Sequence, residues 1–190
     1  MLEVRKEIGM LIVVIFITIL LFSGCTQKSK SDALSRLGYA NREFGFGLNP
    51  PNNWTLDENQ SNDNYAIFSL NQNDSNIPVS MSINASYVNS SVTLDSYFNS
   101  YIDENIKNGK FANYKLITRT DRTIQSSITT IAYENIYTYS GANDYVIKVK
   151  NLMIEPKEDV VICFEYITPI STYSTYEYEF EFSLSSLIFI

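Results

Sequence analysis

The chain has 190 residues, a formal net charge of −7 and no histidine. An acidic chain of this kind lacks the Lys and Arg clusters that phosphate backbones reward, so nucleic acid is not an expected partner, and electrostatic adhesion to anionic lipid is disfavoured. Without histidine there is no Ser-His-Asp or Cys-His nucleophile and no His-ligated zinc or iron.

The chain opens on a short basic lead, Arg5 and Lys6, followed by an uncharged apolar run over residues 10–22 and then Ser23, Gly24 and Cys25. Lead, run and small residues are the parts of a secretory signal. The run is shorter than the ~20 apolar residues that a membrane span needs. Cys25 after Ser23 and Gly24 resembles the lipobox of prokaryotic lipoproteins. That resemblance implies a signal peptide over residues 1–24 and a lipid thioether on Cys25, which becomes the mature N-terminus. One acyl chain holds a protein to a membrane only marginally, whereas two hold it stably. The other reading is an uncleaved signal anchor. Both place the rest of the chain on the extracytoplasmic side of the cell membrane, behind a polar tether that ends near residue 38.

About 165 residues follow Cys25, enough for one domain with its own core. Cys163 is the only other cysteine, so a lipidated Cys25 leaves no intrachain disulfide. Cys163 lies in the apolar run Val160-Val-Ile-Cys-Phe164 and reads as a buried core residue.

Taken in order, residues 44–48 suggest a strand with close backbone approaches at its glycines. Asn49-Pro-Pro-Asn-Asn53 breaks it ahead of Trp54, a core anchor. Residues 57–64 form a polar loop and residues 65–70 a strand. Residues 79–87 alternate cleanly: Val79, Met81, Ile83, Ala85 and Tyr87 share one face to be buried, and the Ser and Asn positions share a face free to stay wet. The period then changes. Leu94, Tyr97, Phe98, Tyr101, Ile102 and Ile106 form one stripe at helical spacing, with Thr93 as N-cap and Gly109 as stop. Strands resume over residues 114–118, 126–139 and 145–154, with turns at residues 141–144 and 155–159. Residues 160–168 make the most apolar strand, expected to be central and covered on both faces. The tail fits two periods. Residues 176–182 alternate like a strand, while Tyr173, Tyr176, Phe180 and Leu184 also line up at helical spacing. Residues 187–190 suggest a last short strand. About seven strands with one firm helix define an α+β fold around a mainly antiparallel sheet.

This order of parts resembles PsbP-like domains. The resemblance rests on the opening Phe44-Gly-Phe-Gly-Leu-Asn-Pro-Pro-Asn-Asn-Trp54, on the helix start Leu94-Asp-Ser-Tyr-Phe98, on the hairpins over residues 114–168, and on Ser185-Ser-Leu-Ile-Phe189. It covers residues 39–190 and implies an antiparallel sheet between helical layers, with a helix over about residues 172–184. PsbP-like proteins include photosystem accessory proteins, a nuclear-transport factor and prokaryotic lipoproteins. They are mostly non-enzymatic, and no functional residue of theirs carries over to this chain.

Of the candidate chemistry, Asp57, Asn59, Ser61 and Asp63 space oxygen atoms at alternate residues as a calcium loop does. The turn glycine and the bidentate Glu of such loops are missing, so a solvated loop is expected and no metal or cofactor. The acidic ladder Glu177, Glu179 and Glu181 reads as a solvent face, as do Asp103 and Glu104. Asn-x-Ser/Thr sequons at Asn53, Asn59, Asn73, Asn84 and Asn89 are candidate glycosylation sites for an exported chain. The expected function is a non-enzymatic binding or accessory module in the envelope, partnered by the membrane and by another envelope protein. The rivals are a small carboxylate- or Ser-dependent envelope enzyme and a structural protein on an uncleaved anchor.

Overall fold

A computed structural model describes residues 34–70, 79–126, 128–141 and 145–190. The chain divides into two compact units, Met1–Leu37 and Gly38–Ile190. The second holds ten strands and two helices among the described residues: β1 Tyr39–Asn41, β2 Phe46–Leu48, β3 Trp54–Leu56, β4 Tyr65–Leu70, β5 Ser80–Tyr87, α1 Leu94–Lys107, β6 Ala112–Gln125, β7 Thr129–Ser140, β8 Val146–Lys157, β9 Val160–Pro169, α2 Tyr173–Ser185 and β10 Ile188–Phe189. Seven strands form an antiparallel sheet in the order β3-β4-β5-β9-β8-β7-β6. The three short strands β1, β2 and β10 form a second sheet with β2 in the middle. The expected α+β architecture is therefore present, with an extra small sheet beside the large one.

Alternation along β9 divides the interior. Val160, Ile162, Phe164 and Tyr166 join the larger apolar cluster, with Phe46, Leu48, Trp54, Phe180 and Leu184. Cys163 joins Phe98, Ile102, Phe111, Tyr137, Val149 and Met153 in the smaller one. The large sheet is thus covered by α1 on one face and by α2 with the small sheet on the other. β9 is the fourth of seven strands and almost wholly buried, as its continuous apolar run requires.

α1 starts where the capping chemistry stands. The Thr93 hydroxyl accepts from the Ser96 amide at 3.1 Å, and the Ser96 hydroxyl accepts from the Thr93 amide at 3.0 Å. Such a reciprocal pair is worth about 1 kcal/mol. Beyond the helix, Gly109 takes φ 71°, a left-handed backbone suited to glycine. The tail is helical: strand alternation would put Tyr173 on the face opposite Phe180 and Leu184, whereas α2 buries all three.

Four local expectations are corrected. The strand expected over residues 44–48 begins only at Phe46, because Gly45 turns at φ 72°, and β1 precedes it. β6 runs on to Gln125, well past residue 118. β8 continues to Lys157, so the turn before β9 shrinks to Glu158 and Asp159, the latter at φ 64°. The polar face of β5 is not wet: α1 roofs it, leaving Ser80 and Ser82 4% and 2% exposed.

Candidate functional site

Under α1 lies a carboxylate in the middle of the sheet. Glu165 of β9 is buried, and its partners are neutral donors. Tyr137 donates its hydroxyl at 3.0 Å and Asn151 its amide at 3.0 Å to Oε1. Tyr101 of α1 donates at 3.1 Å, and Ser82 donates to Oε2 at 3.3 Å. Burial, and then the Glu165 charge, pushes the Tyr137 and Tyr101 hydroxyls well above their ordinary range. Tyr139 is pushed up to about 12 for the same reasons. The Cys163 thiol is raised by burial and Glu165, although the Asn151 amide donates to its sulfur at 3.0 Å. Hydroxyls and a thiol held protonated are donors rather than nucleophiles. Asn151 Oδ1 is buried without a partner. Arg119 of β6 fastens the same helix from the side, donating to Asn135 at 2.9 Å and Asn99 at 3.0 Å, and pairing with Asp95. Its guanidinium lies 4.7 Å from the centre of the Phe98 ring.

The opposite face carries a second closed network. Lys150 of β8, its side chain 8% exposed, pairs with Glu177 and with Glu181 at 2.8 Å. Arg122 of β6 pairs with Glu181 at 2.6 Å and Glu134 at 3.0 Å. Burial pushes the Glu181 carboxyl up, yet hydrogen bonds from Arg122 and Lys150 outweigh it and hold the group below its ordinary range. Burial likewise depresses Lys150, and Glu177 and Glu181 outweigh it, so the ammonium sits above its ordinary range. The acidic ladder is therefore no solvent face. Helical spacing puts Glu177 and Glu181 one turn apart against the sheet and leaves Glu179 to bind the Trp54 indole at 2.6 Å.

That indole bond begins a cleft. The segment before β3 is bolted to α2 at three points. Trp54 donates to Glu179, Ser183 donates its hydroxyl to the Asn49 carbonyl at 2.7 Å, and the Asn49 amide donates to the Ser186 hydroxyl at 2.8 Å. Between segment and helix opens a cleft of about 300 Å³, lined by Pro51, Asn52, Asn53, Tyr178, Glu179 and Phe182. Tyr178 and Phe182 are 75% and 51% exposed. Their ring centroids are 6.5 Å apart and the planes 31° from parallel, so the rings make a shelf rather than a stack. A second cleft, of about 360 Å³, lies by Tyr39, Asn41 and Asp63. There the Asn41 amide is already spent on the Asp63 carbonyl at 2.7 Å.

The residues singled out in the sequence scatter. Asp57 closes its own turn, accepting from the Asn59 and Gln60 amides and from the Gln60 side chain. Asn59 and Asp63 are exposed, and among the described residues no three His, Cys, Asp or Glu side chains converge as a metal site. Asn53, Asn59 and Asn89 are exposed, while Asn84 is half-buried on the α1 side of β5. Cys25 and Asn73 lie outside the described residues. Asp103 and Glu104 are exposed on α1. Sequence reading passed over Glu165 and Lys150. For Glu165 the signal available was a lone charge inside an otherwise apolar strand. Nothing in the sequence links Asn53 to Tyr178.

A seven-stranded antiparallel sheet with α1 on one face and α2 plus a small sheet on the other is the PsbP-like fold, as the sequence resemblance implies. Among solved structures the chain is similar to cyanobacterial PsbP (CyanoP) from Synechocystis, with a TM-score of 0.55 and 15% identity over 80% of this chain and 91% of that one. It is also similar to LpqN of Mycobacterium tuberculosis, a protein involved in cell envelope biogenesis, with a TM-score of 0.56 and 14% identity over 75% and 82% of the two chains. The Saccharomyces cerevisiae Ran-binding protein Mog1p aligns with a TM-score of 0.52 and 6% identity over 75% and 89%. No family model matches the sequence, and no curated protein matches it. At these identities the likeness is one of fold.

Proposed function

We propose that the chain is an extracytoplasmic lipoprotein, tethered to the cell membrane through Cys25, whose domain is a non-enzymatic binding module. The observation that carries this reading is the contrast between the charged clusters and the cleft. Glu165, Lys150, Arg122 and Glu181 are spent on one another or on neutral donors, and they hold the two helices to the sheet. An acid or base at work in catalysis needs a substrate within hydrogen-bond reach, and α1 stands between Glu165 and solvent. The cleft beside α2 is the reverse: its walls are fixed by three hydrogen bonds while its aromatic rings stay uncovered. Fixed walls around open rings suit binding, because little freedom remains to be lost when a ligand arrives. The fold neighbours support the same reading, since one is a Ran-binding protein and another is involved in cell envelope biogenesis.

Two experiments test it. The parent should take lipid label and have a mature mass without residues 1–24, and Cys25→Ser should lose the label. A parent chain that is full-length and takes no lipid label would instead support the uncleaved anchor. For the binding function, a photo-crosslinking residue at position 178 should capture a defined envelope component in intact cells. The same residue at the exposed position 104 should not. Equal capture at both positions, or none at either, would remove the cleft as the working surface.

A further inference from the structure

We propose that the cleft beside α2 binds a short neutral saccharide, an inference that rests on the domain being a binding module. A sugar ring has an apolar C–H face and a rim of hydroxyls. A site for it needs an uncovered aromatic face, whose negative quadrupole meets the C–H hydrogens, and fixed polar groups at the edge. Tyr178 and Phe182 supply the face from successive turns of α2, and both are exposed. Asn52 and Asn53 supply the edge. Among the described residues neither amide, nor the Tyr178 hydroxyl, has a hydrogen-bond partner within the chain, although all three line or border the cleft. An amide offers both a donor and an acceptor, which matches a hydroxyl or an acetamido group.

The wall that carries these amides is held in place. Asn53 sits at φ 66°, in the left-handed region that asparagine tolerates, and Trp54 behind it is tied to Glu179. Among the described residues Glu179 is also the only charge lining the cleft. A lone carboxylate accepts from sugar hydroxyls and repels anionic sugars and phosphates, so the ligand is neutral. About 300 Å³ is at the small end of ligand pockets, room for one or two rings with the rest in solvent. A protein partner is the less fitting occupant. The centre of a protein interface is depleted in charge, and here the shelf is edged by two amides and a carboxylate.

The test uses Trp54, the only tryptophan of the chain. Full-length protein in a detergent without a sugar headgroup is titrated with chitotriose, maltotriose and trigalacturonate while the indole emission is followed. At least one of the two neutral trisaccharides should give a saturable change, with a dissociation constant of about 1 mM or lower. Trigalacturonate should bind at least roughly ten-fold more weakly. Tyr178→Ala and Phe182→Ala should each weaken binding by roughly ten-fold or more, with melting temperature and far-ultraviolet dichroism unchanged, because both side chains are exposed. Glu104→Ala should bind as the parent does. Absence of a saturable change with either neutral sugar overturns the proposal, as does binding that survives both aromatic substitutions. If sugars fail while the crosslinker at position 178 captures a protein, the saccharide inference falls and the binding-module reading stands.

Discussion

Replacing Glu165 with leucine isolates the worth of the buried carboxylate. The substitution removes the acceptor of four donors at 3.0–3.3 Å. Asn151 keeps its bond to the Cys163 sulfur, and Tyr101 at the edge of α1 can turn toward water. That leaves the hydroxyls of Tyr137 and Ser82, on residues 0% and 2% exposed. An orphaned buried hydroxyl costs about 1–3 kcal/mol, so two cost about 2–6 kcal/mol. Relief from desolvating an ion offsets part of this and moves the expectation to about 2–4 kcal/mol. Urea unfolding of purified protein should show a lower midpoint at an unchanged slope. Adding Tyr137→Phe and Ser82→Ala to Glu165→Leu should recover at least half of the loss, because polar groups deleted together leave no orphan. A neutral or stabilising Glu165→Leu would refute the reasoning, and so would losses that simply add.

Other outcomes follow from the second network and the turns. Lys150→Met leaves Glu177 without its cation and Glu181 with Arg122 alone. Since both carboxylates are partly solvated, the cost should be about 1–3 kcal/mol, read as a fall of about 2–12 °C in thermal midpoint. Glu181 has a folded pKa below its unfolded value. Its contribution is therefore present above about pH 4.3 and lost as the pH falls through the folded value, so acid titration should weaken the α2 side. Tyr101, Tyr137 and Tyr139 have the opposite sign, with folded values above the unfolded value of about 10. Stability is full below about pH 10 and falls above it by about 1.4 kcal/mol per pH unit per tyrosine, which stopped-pH melting curves would show. Gly109→Ala meets no atom within 4 Å but must hold φ 71°, so about 1 kcal/mol of backbone cost should appear in the same melts.

The parts of this fold that could be read from the sequence are those whose signal is local. α1 carries its stripe, its cap and its stop within residues 93–109, and β9 announces a central position by an unbroken apolar run. The far half of β6 could not be read that way. Its edge position leaves most of that stretch exposed, so no alternation marks it. The serines of β5 look solvent-facing in isolation, and only the roof of α1 with Glu165 beneath it makes them internal. The acidic ladder reads as a solvent face for a related reason. Three carboxylates at alternate positions share one face of a strand but diverge around a helix, and the partner that decides between them, Lys150, is a sequence-distant residue on β8. The cleft was beyond reach altogether, because its walls come from residues 51–53 and 178–182.

The small sheet sets an order of assembly. β2 pairs on one side with its neighbour β1 and on the other with β10, at the far end of the domain, and the Ile190 amide closes onto the Gly45 carbonyl at 2.9 Å. Until α2 and β10 arrive, Phe46, Phe164 and Tyr166 have no cover on their side of the large sheet. The cover is thus added across the longest separation the domain offers, where loop closure is slowest. A chain emerging N-terminus first therefore stays an open, sticky half-sandwich until residues 173–190 are free. Under the proposed export, this delay would keep the chain threadable during passage and make completion of the fold an event of the far side.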